Sequence, residues 1–219
     1  MAISAAAAKS LKNDFFCVAL CPLRRAFAFF HMILLLLFLM APLICSPCRT
    51  DKNLGRAYNE TMRLLPDDGW AIFKDIDTTF LTPETYGHIC TYIEQNPEAG
   101  VLTCYTNRLS PLAKRQLLGG VVSEDTDVRH HIALARECER ELYTTTAIIR
   151  DISGVLMAVS KKTWNRIPFP ETGRALGVDN TFGRLIRGHG KQVLRMNGIY
   201  IFHLYRLEKG IGDKTHLKP

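Results

Sequence analysis

From Ala26 to Cys45 the chain runs for 20 residues without a formal charge, AFAFFHMILLLLFLMAPLIC. A segment of that length and composition matches the hydrocarbon core of a bilayer when helical, and it predicts a transmembrane helix. Lys9, Lys12, Arg24 and Arg25 precede it, so the positive-inside bias leaves the N-terminus cytoplasmic and the remaining chain on the far side. The run is long for the apolar part of a signal peptide, and no small-x-small cleavage site follows it. The alternative is a buried core helix. The expectation is a single-pass, membrane-associated protein if residues 26–45 are authentic, and a cytoplasmic one otherwise.

Composition changes near residue 50. Beyond it, stretches with helical and strand periodicity alternate. Leu54, Ala57, Tyr58, Met62 and Leu65 share one helical face, and Pro66-Asp67-Asp68-Gly69 is a turn. Trp70–Phe73 is a short apolar strand running into Asp75. Thr82-Pro83-Glu84 is placed to cap a helix of about residues 84–96. Further strands are expected over 100–105, 154–159 and 193–202, and further helices over 127–143, 161–166 and 179–187. Strands alternating with helices argue for an α/β layered fold. The chain divides into a cationic, apolar segment (1–50), a globular domain (51–208) and a tail (209–219).

The net charge of +7 excludes less than it suggests. Residues 1–52 carry +4 of it, leaving +3 on the globular part, with no basic stripe interleaved with aromatics. Nucleic acid is therefore not an expected partner. The seven cysteines show no framework spacing; Cys45 and Cys48 form an isolated C-x-x-C, and Cys90, Cys104 and Cys138 read as small buried hydrophobes.

The chemistry concentrates in Trp70-Ala-Ile-Phe-Lys-Asp75-Ile-Asp77-Thr-Thr-Phe-Leu-Thr-Pro83. Two carboxylates one residue apart at a strand end point the same way and suit a divalent cation that keeps positions open for phosphate oxygens. Two enzyme classes use such a pair. Asp75-Ile-Asp77-Thr-Thr79 matches the D-x-D-x-T signature of haloacid-dehalogenase-type phosphatases, where Asp75 would be the nucleophile and Asp77 an acid/base. The later lysine and paired acidic loop of that class have no clear counterpart here. The other class comprises glycosyltransferases of the A-type fold, where the pair binds metal and nucleotide sugar.

Four further stretches stand beside the pair. Asn53-Leu-Gly55-Arg56-Ala57-Tyr58-Asn59 resembles the N-x-G-x-A-x-N helix that precedes the acidic pair in family 2-like glycosyltransferases. Gly154-Val-Leu-Met-Ala-Val-Ser-Lys161 resembles their acceptor-side strand, and Leu176-Gly-Val-Asp179 through Gly190-Lys191 resembles the acidic helix start that follows. Met196–Arg206 is similar to the closing strand with a metal-binding histidine. The chain from about Asn53 to Arg206 thus resembles a family 2-like glycosyltransferase, a Rossmann-like mixed sheet with flanking helices. The resemblance implies that Asp77 and His203 are metal ligands for Mn²⁺ or Mg²⁺, and that Asp75, Asn53 and Arg56 contact the nucleotide sugar. It implies Asp179 as the general base for inverting transfer to an acceptor hydroxyl on a glycan, lipid or protein. The family usually shows Glu-Asp at this helix start, whereas Val178-Asp179 stands here.

The residues leave other readings open. Asp179 also suits a helix N-cap, and His203 a hydrogen-bonded core histidine. Arg184, Arg187 and Lys191 fit either phosphates or a solvated helix face. Trp164 fits an acceptor sugar or the core, and His130-His131 reads as surface. No alternating strands are visible before Asn53, where the family places its nucleotide-binding half, so residues 1–50 are expected not to be native to the domain. Three functions remain: an active glycosyltransferase, a catalytically incomplete remnant of one, or a phosphatase using Asp75 and Asp77.

Overall fold

The computed structural model describes residues 41–109, 111–173 and 176–204. The fold they form begins at Pro42. Most of the Ala26–Cys45 run, and the whole of the 209–219 tail, lie outside the described residues. In chain order the elements are β1 (Leu43–Cys45), α1 (Leu54–Arg63), β2 (Trp70–Lys74), β3 (Thr78–Phe80), α2 (Thr85–Gln95), β4 (Val101–Thr106), α3 (Val128–Cys138), β5 (Thr145–Ala147), β6 (Leu156–Ser160), α4 (Lys161–Arg166), α5 (Val178–Gly188) and β7 (Val193–His203). Short 3₁₀ turns occupy Pro111–Gln116, Leu118–Gly120 and Glu139–Glu141.

The strands make one mixed, seven-stranded sheet in the order β1-β2-β6-β4-β7-β3, with β5 also pairing β7. β1 runs parallel to β2, and β4 parallel to β7. β6 is antiparallel to both β2 and β4. The long strand β7 shares its outer edge: β5 pairs Leu194–Met196, and β3 pairs Ile201–His203. Alternation along the strands sorts side chains into two cores, giving a mixed α/β sheet flanked by helices. Ile72, Leu102, Cys104, Leu156 and Ala158 pack with Ile89, Tyr92 and Ile93 of α2. Ala71, Phe73, Met157 and Val159 point the other way, to Tyr58 and Met62 of α1 and to Val178, Phe182 and Ile186 of α5.

Several expectations are corrected. The end of the apolar run is not helical: Leu43–Cys45 is β1, in register with Ala71–Phe73. The domain therefore starts before residue 51, and a strand does precede Asn53. Among the described residues no helix is long and apolar enough to cross a membrane, and residues 26–40 of the expected transmembrane run lie outside them. Thr82 does not cap α2; its hydroxyl bonds Thr85 Oγ1 (2.8 Å) and Glu139, and the N-cap position Glu84 makes no side-chain cap bond. The helix expected over 127–143 ends at Cys138 and continues as a 3₁₀ turn. His131 is buried rather than surface, held between Tyr200 Oη (2.7 Å) and the Asp125 carbonyl (3.0 Å). Cys104 and Cys138 are buried as expected, whereas Cys90 is only half-buried.

The N-x-G-x-A-x-N stretch has a packing explanation. Asn53 caps α1 by accepting from Arg56 N at 3.1 Å. Asn59, buried, donates to the Phe169 carbonyl (3.0 Å) and Glu171 Oε1 (2.9 Å) and accepts from Phe169 N (3.0 Å) and Trp164 Nε1 (2.8 Å). Trp164 is thus committed to this clamp and to Lys161, whose ammonium lies 4.7 Å from the indole centroid, not to an acceptor sugar. Gly55 permits the approach: a Cβ there would collide with the carbonyl oxygen of Pro170. Gly55→Ala should therefore lower stability by roughly 1–3 kcal/mol, because the clash is with main chain that Asn59 holds in place. A lower denaturant midpoint with an unchanged slope is the expected readout.

Candidate metal centre

Asp75 and Asp77 occupy the turn between β2 and β3, and this turn is tightly fixed. The Asp75 carbonyl accepts from Lys74 Nζ (3.0 Å), Thr78 N (3.2 Å) and Thr78 Oγ1 (2.7 Å), and Lys74 Nζ also reaches the Thr78 carbonyl at 3.0 Å. The Asp75 amide donates to the Val155 carbonyl at 3.3 Å, tying the turn to β6. On the other side Thr78 pairs with His203 across the β3–β7 ladder, and Leu204 N donates to the Asp77 carbonyl at 2.9 Å. The ladder brings the end of β7 beside the acidic turn.

There, ligand atoms of Asp75, Asp77 and His203 lie within 4.8 Å of one another. His203 Nε2 is 3.2 Å from Asp77 Oδ1 and 4.0 Å from Asp75 Oδ2. His203 is only 4 % exposed, whereas the two carboxylates keep 37 % and 41 % of their side-chain surface open. The ring is oriented from behind. Its Nδ1 lies 2.8 Å from the Arg108 carbonyl, which can only accept, so Nδ1 carries the proton and donates it there. Nε2 is thereby turned toward the two carboxylates. A buried imidazole beside two carboxylates is a donor set suited to Mn²⁺ and related divalent ions.

The backbone of His203 is clamped as well. Asn107, buried, accepts from His203 N through Oδ1 (2.8 Å) and donates through Nδ2 to the His203 carbonyl (3.2 Å). Arg108, fully buried, donates to Glu124 Oε2 (2.6 Å) and to the Ser123 carbonyl (3.2 Å), while Ser123 N donates to the Asn107 carbonyl. The irregular segment after β4 thus closes on itself behind the histidine. Neither Asn107 nor Arg108 stood out in the sequence. A T-N-R run after a strand reads as loop, and only the fold shows that it meets a strand almost 100 residues later.

Electrostatics separate the carboxylates. Burial pushes the pKa of Asp75 up, and the charges of Asp77 and Asp179 push it further, against His203 and Lys74. For Asp77 burial acts in the same sense, but the hydrogen bond and charge of His203 outweigh it and the pKa is lowered. Asp179 reaches the same turn through adjoining residues of one segment: Gly154 N donates to Asp179 Oδ2, and the Asp75 amide donates to the Val155 carbonyl. Gly177, at φ 83° in the left-handed region, starts α5 and takes the N-cap position, so Asp179 sits in the first turn and is not the cap. Burial raises its pKa, opposed by hydrogen bonds from Asn180 N (2.8 Å) and Gly154 N (2.7 Å). Gly154 is held in turn by the neighbouring Ser153, whose amide and carbonyl bond the buried Gln116 side chain at 2.7 and 3.1 Å.

Other expected site residues are engaged elsewhere. Asn53 caps α1, and exposed Arg56 pairs with Glu60 at 3.2 Å; among the described residues neither contacts Asp75, Asp77 or His203. Arg184 lies 3.8 Å from Asp151, and Lys191 donates to the Glu98 carbonyl at 3.0 Å. Asn180 Oδ1 and Arg187 Nη1, both on α5, are buried without a hydrogen-bond partner. No protein-family model matches the chain, and no curated protein matches it.

Two substitutions test the centre. His203→Ala removes one of the three candidate ligands and should abolish any Mn²⁺ binding that the wild type shows in titration calorimetry. Asn107→Ala leaves all three ligands but frees the strand that carries the histidine, and should weaken Mn²⁺ binding about 10–100-fold.

Proposed function

We propose that the chain transfers a sugar from a nucleotide-sugar donor to an acceptor hydroxyl with inversion, using a divalent cation, Mn²⁺ or Mg²⁺. The observation that supports this most is the meeting of Asp75, Asp77 and His203 at one sheet edge, with Asp179 close enough for its charge to act on Asp75. In this reading three groups suited to a metal stand near a separate carboxylate with a raised pKa. Metal binding and proton abstraction are the two tasks that transfer from a diphosphate leaving group requires.

In this reading the diphosphate oxygens are neutralised by the cation that Asp75, Asp77 and His203 would hold. Asp75, with Asn53 and Arg56 at the start of α1, is assigned to the nucleotide sugar. Asp179 accepts the proton of the acceptor hydroxyl as its oxygen attacks the anomeric carbon. The new C–O bond forms as the bond to the diphosphate breaks, and the electron pair leaves with the phosphate. Burial of Asp179 favours this role, since a carboxylate with an elevated pKa is a stronger base than one in water. Its two backbone hydrogen bonds fix the carboxylate plane and leave lone pairs for the substrate.

The phosphatase alternative gains less support. That chemistry needs an ammonium beside the nucleophilic carboxylate, and Lys74 instead donates to the main-chain carbonyls of Asp75 and Thr78.

Asp179→Asn should lower sugar transfer about 10²–10⁴-fold while leaving Mn²⁺ affinity near wild type. Asp77→Asn should lose both. For the unaltered protein kcat/KM should rise with pH and then level off, because the base must be ionised. The midpoint of that rise should lie above the ordinary carboxylate value of 3.8 in accord with the raised pKa of Asp179. Radiolabel transfer from a panel of nucleotide sugars, run with Mn²⁺ across pH 4–9, reads all three; transfer undiminished by Asp179→Asn would overturn the assignment of the base.

A further inference from the structure

We infer that Gln116 is a positioning residue for the proposed base, fixing the carboxylate of Asp179 through the main chain of Ser153 and Gly154. This rests on the transferase reading of the same site. Gln116 ends the first 3₁₀ turn after β4, and its side chain is fully buried. Its amide makes three hydrogen bonds. Oε1 accepts from Ser153 N (2.7 Å), while Nε2 donates to the Ser153 carbonyl (3.1 Å) and to Thr103 Oγ1 (2.7 Å). The amide can face only this way, since Ser153 N can only donate and the Ser153 carbonyl can only accept.

One side chain thus takes both main-chain groups of Ser153, and it is moored in turn to β4. Thr103, also fully buried, donates its own hydroxyl to the Leu156 carbonyl at 2.7 Å. Burial makes these bonds matter, because removing a partner leaves a polar group unsatisfied away from water.

The residue after Ser153 reaches the base. Gly154 N donates to Asp179 Oδ2 at 2.7 Å, and a Cβ built on Gly154 would lie 3.5 Å from Asp179 Cβ. The carboxylate's other bond comes from Asn180 N (2.8 Å), which belongs to the same helix and moves with it. Gly154 therefore ties the carboxylate to the sheet, and Gln116 sets where Gly154 lies. A base must meet the acceptor hydroxyl along one line, and a displacement of about 1 Å costs on the order of 10²-fold in rate. The acidic turn depends less on this segment. The Asp75 amide reaches Val155 by a longer bond (3.3 Å), while Lys74 and Thr78 hold the Asp75 carbonyl and Leu204 N holds that of Asp77. Releasing Ser153 should disturb the base and spare the candidate metal ligands.

Gln116→Met in the full chain keeps the length of the side chain and removes all three bonds. Amide hydrogen exchange read by NMR needs no substrate: Gly154 N should exchange about tenfold faster than in wild type, and Thr78 N at the wild-type rate. Radiolabel transfer from UDP-glucose, UDP-N-acetylglucosamine or GDP-mannose, whichever the wild type turns over, should fall about 10–100-fold in kcat with donor KM and Mn²⁺ affinity unchanged. The rise of kcat with pH should move to higher pH, because the Gly154 bond lowers the Asp179 pKa and its loss leaves burial less opposed. Ile89→Val, which trims the core on the α2 side, controls for lost stability and should leave kcat as in wild type. Should Gln116→Met not fold, Gln116→Asn, which keeps an amide but withdraws it by one methylene, carries the same expectations. Wild-type exchange at Gly154, or a kcat no lower than that of Ile89→Val, would overturn the positioning role and leave the transferase reading intact. Equal losses in kcat and Mn²⁺ affinity would mean a general structural role, and also overturn it. Wild-type protein that transfers from none of the three donors would overturn the transferase reading, and this inference with it.

Discussion

The hydrogen bond from His203 Nδ1 to the Arg108 carbonyl governs the candidate site. It fixes how the ring is turned, so that Nε2 faces Asp77 at 3.2 Å and Asp75 at 4.0 Å. Without that bond the same residue could satisfy itself through either nitrogen, and the acidic pair would be an ordinary exposed turn. The bond exists because Asn107 holds the His203 main chain and because buried Arg108 is anchored to Glu124 and Ser123. A candidate metal centre of three side chains therefore depends on a segment that contributes none of them. Such supporting contacts commonly set ligand orientation and affinity in metal sites.

Much of the architecture was legible because periodicity reports burial. Strands β2, β4, β6 and β7 and helices α1, α2, α4 and α5 fall within a few residues of where the sequence places them. The misses share a cause. β1, β3 and β5 are three residues each, too short to display a period, and are strands only because neighbours supply their hydrogen bonds. β1 was hidden further by lying inside an apolar run whose length argued for a helix. The acidic pair was legible because both residues are local to one strand end. His203 and Asp179 were found only through resemblance, since nothing within five residues of either marks it. Asn107 and Gln116 escaped notice because their partners are remote in the chain.

The N-x-G-x-A-x-N stretch shows how a motif divides between packing and chemistry. Gly55 and Asn59 serve the junction of α1 with the segment around Phe169, and Trp164 is drawn into the same clamp. Tyr58, between Ala57 and Asn59, packs its ring on Phe73 and Phe169 and so belongs to the same junction.

The sharing of β7 between β5 and β3 has a consequence for biosynthesis. Asp75 and Asp77 leave the ribosome well over a hundred residues before His203, and β3 has no ladder partner until β7 docks beside it. Ladder contacts of this sequence separation form late in folding. The two carboxylates of a nascent chain are thus a flexible pair, and the candidate three-residue set comes together only once the sheet is complete. On the proposed metal-dependent reading, cation capture would report that the protein has finished folding, since no competent set exists while the chain is still emerging.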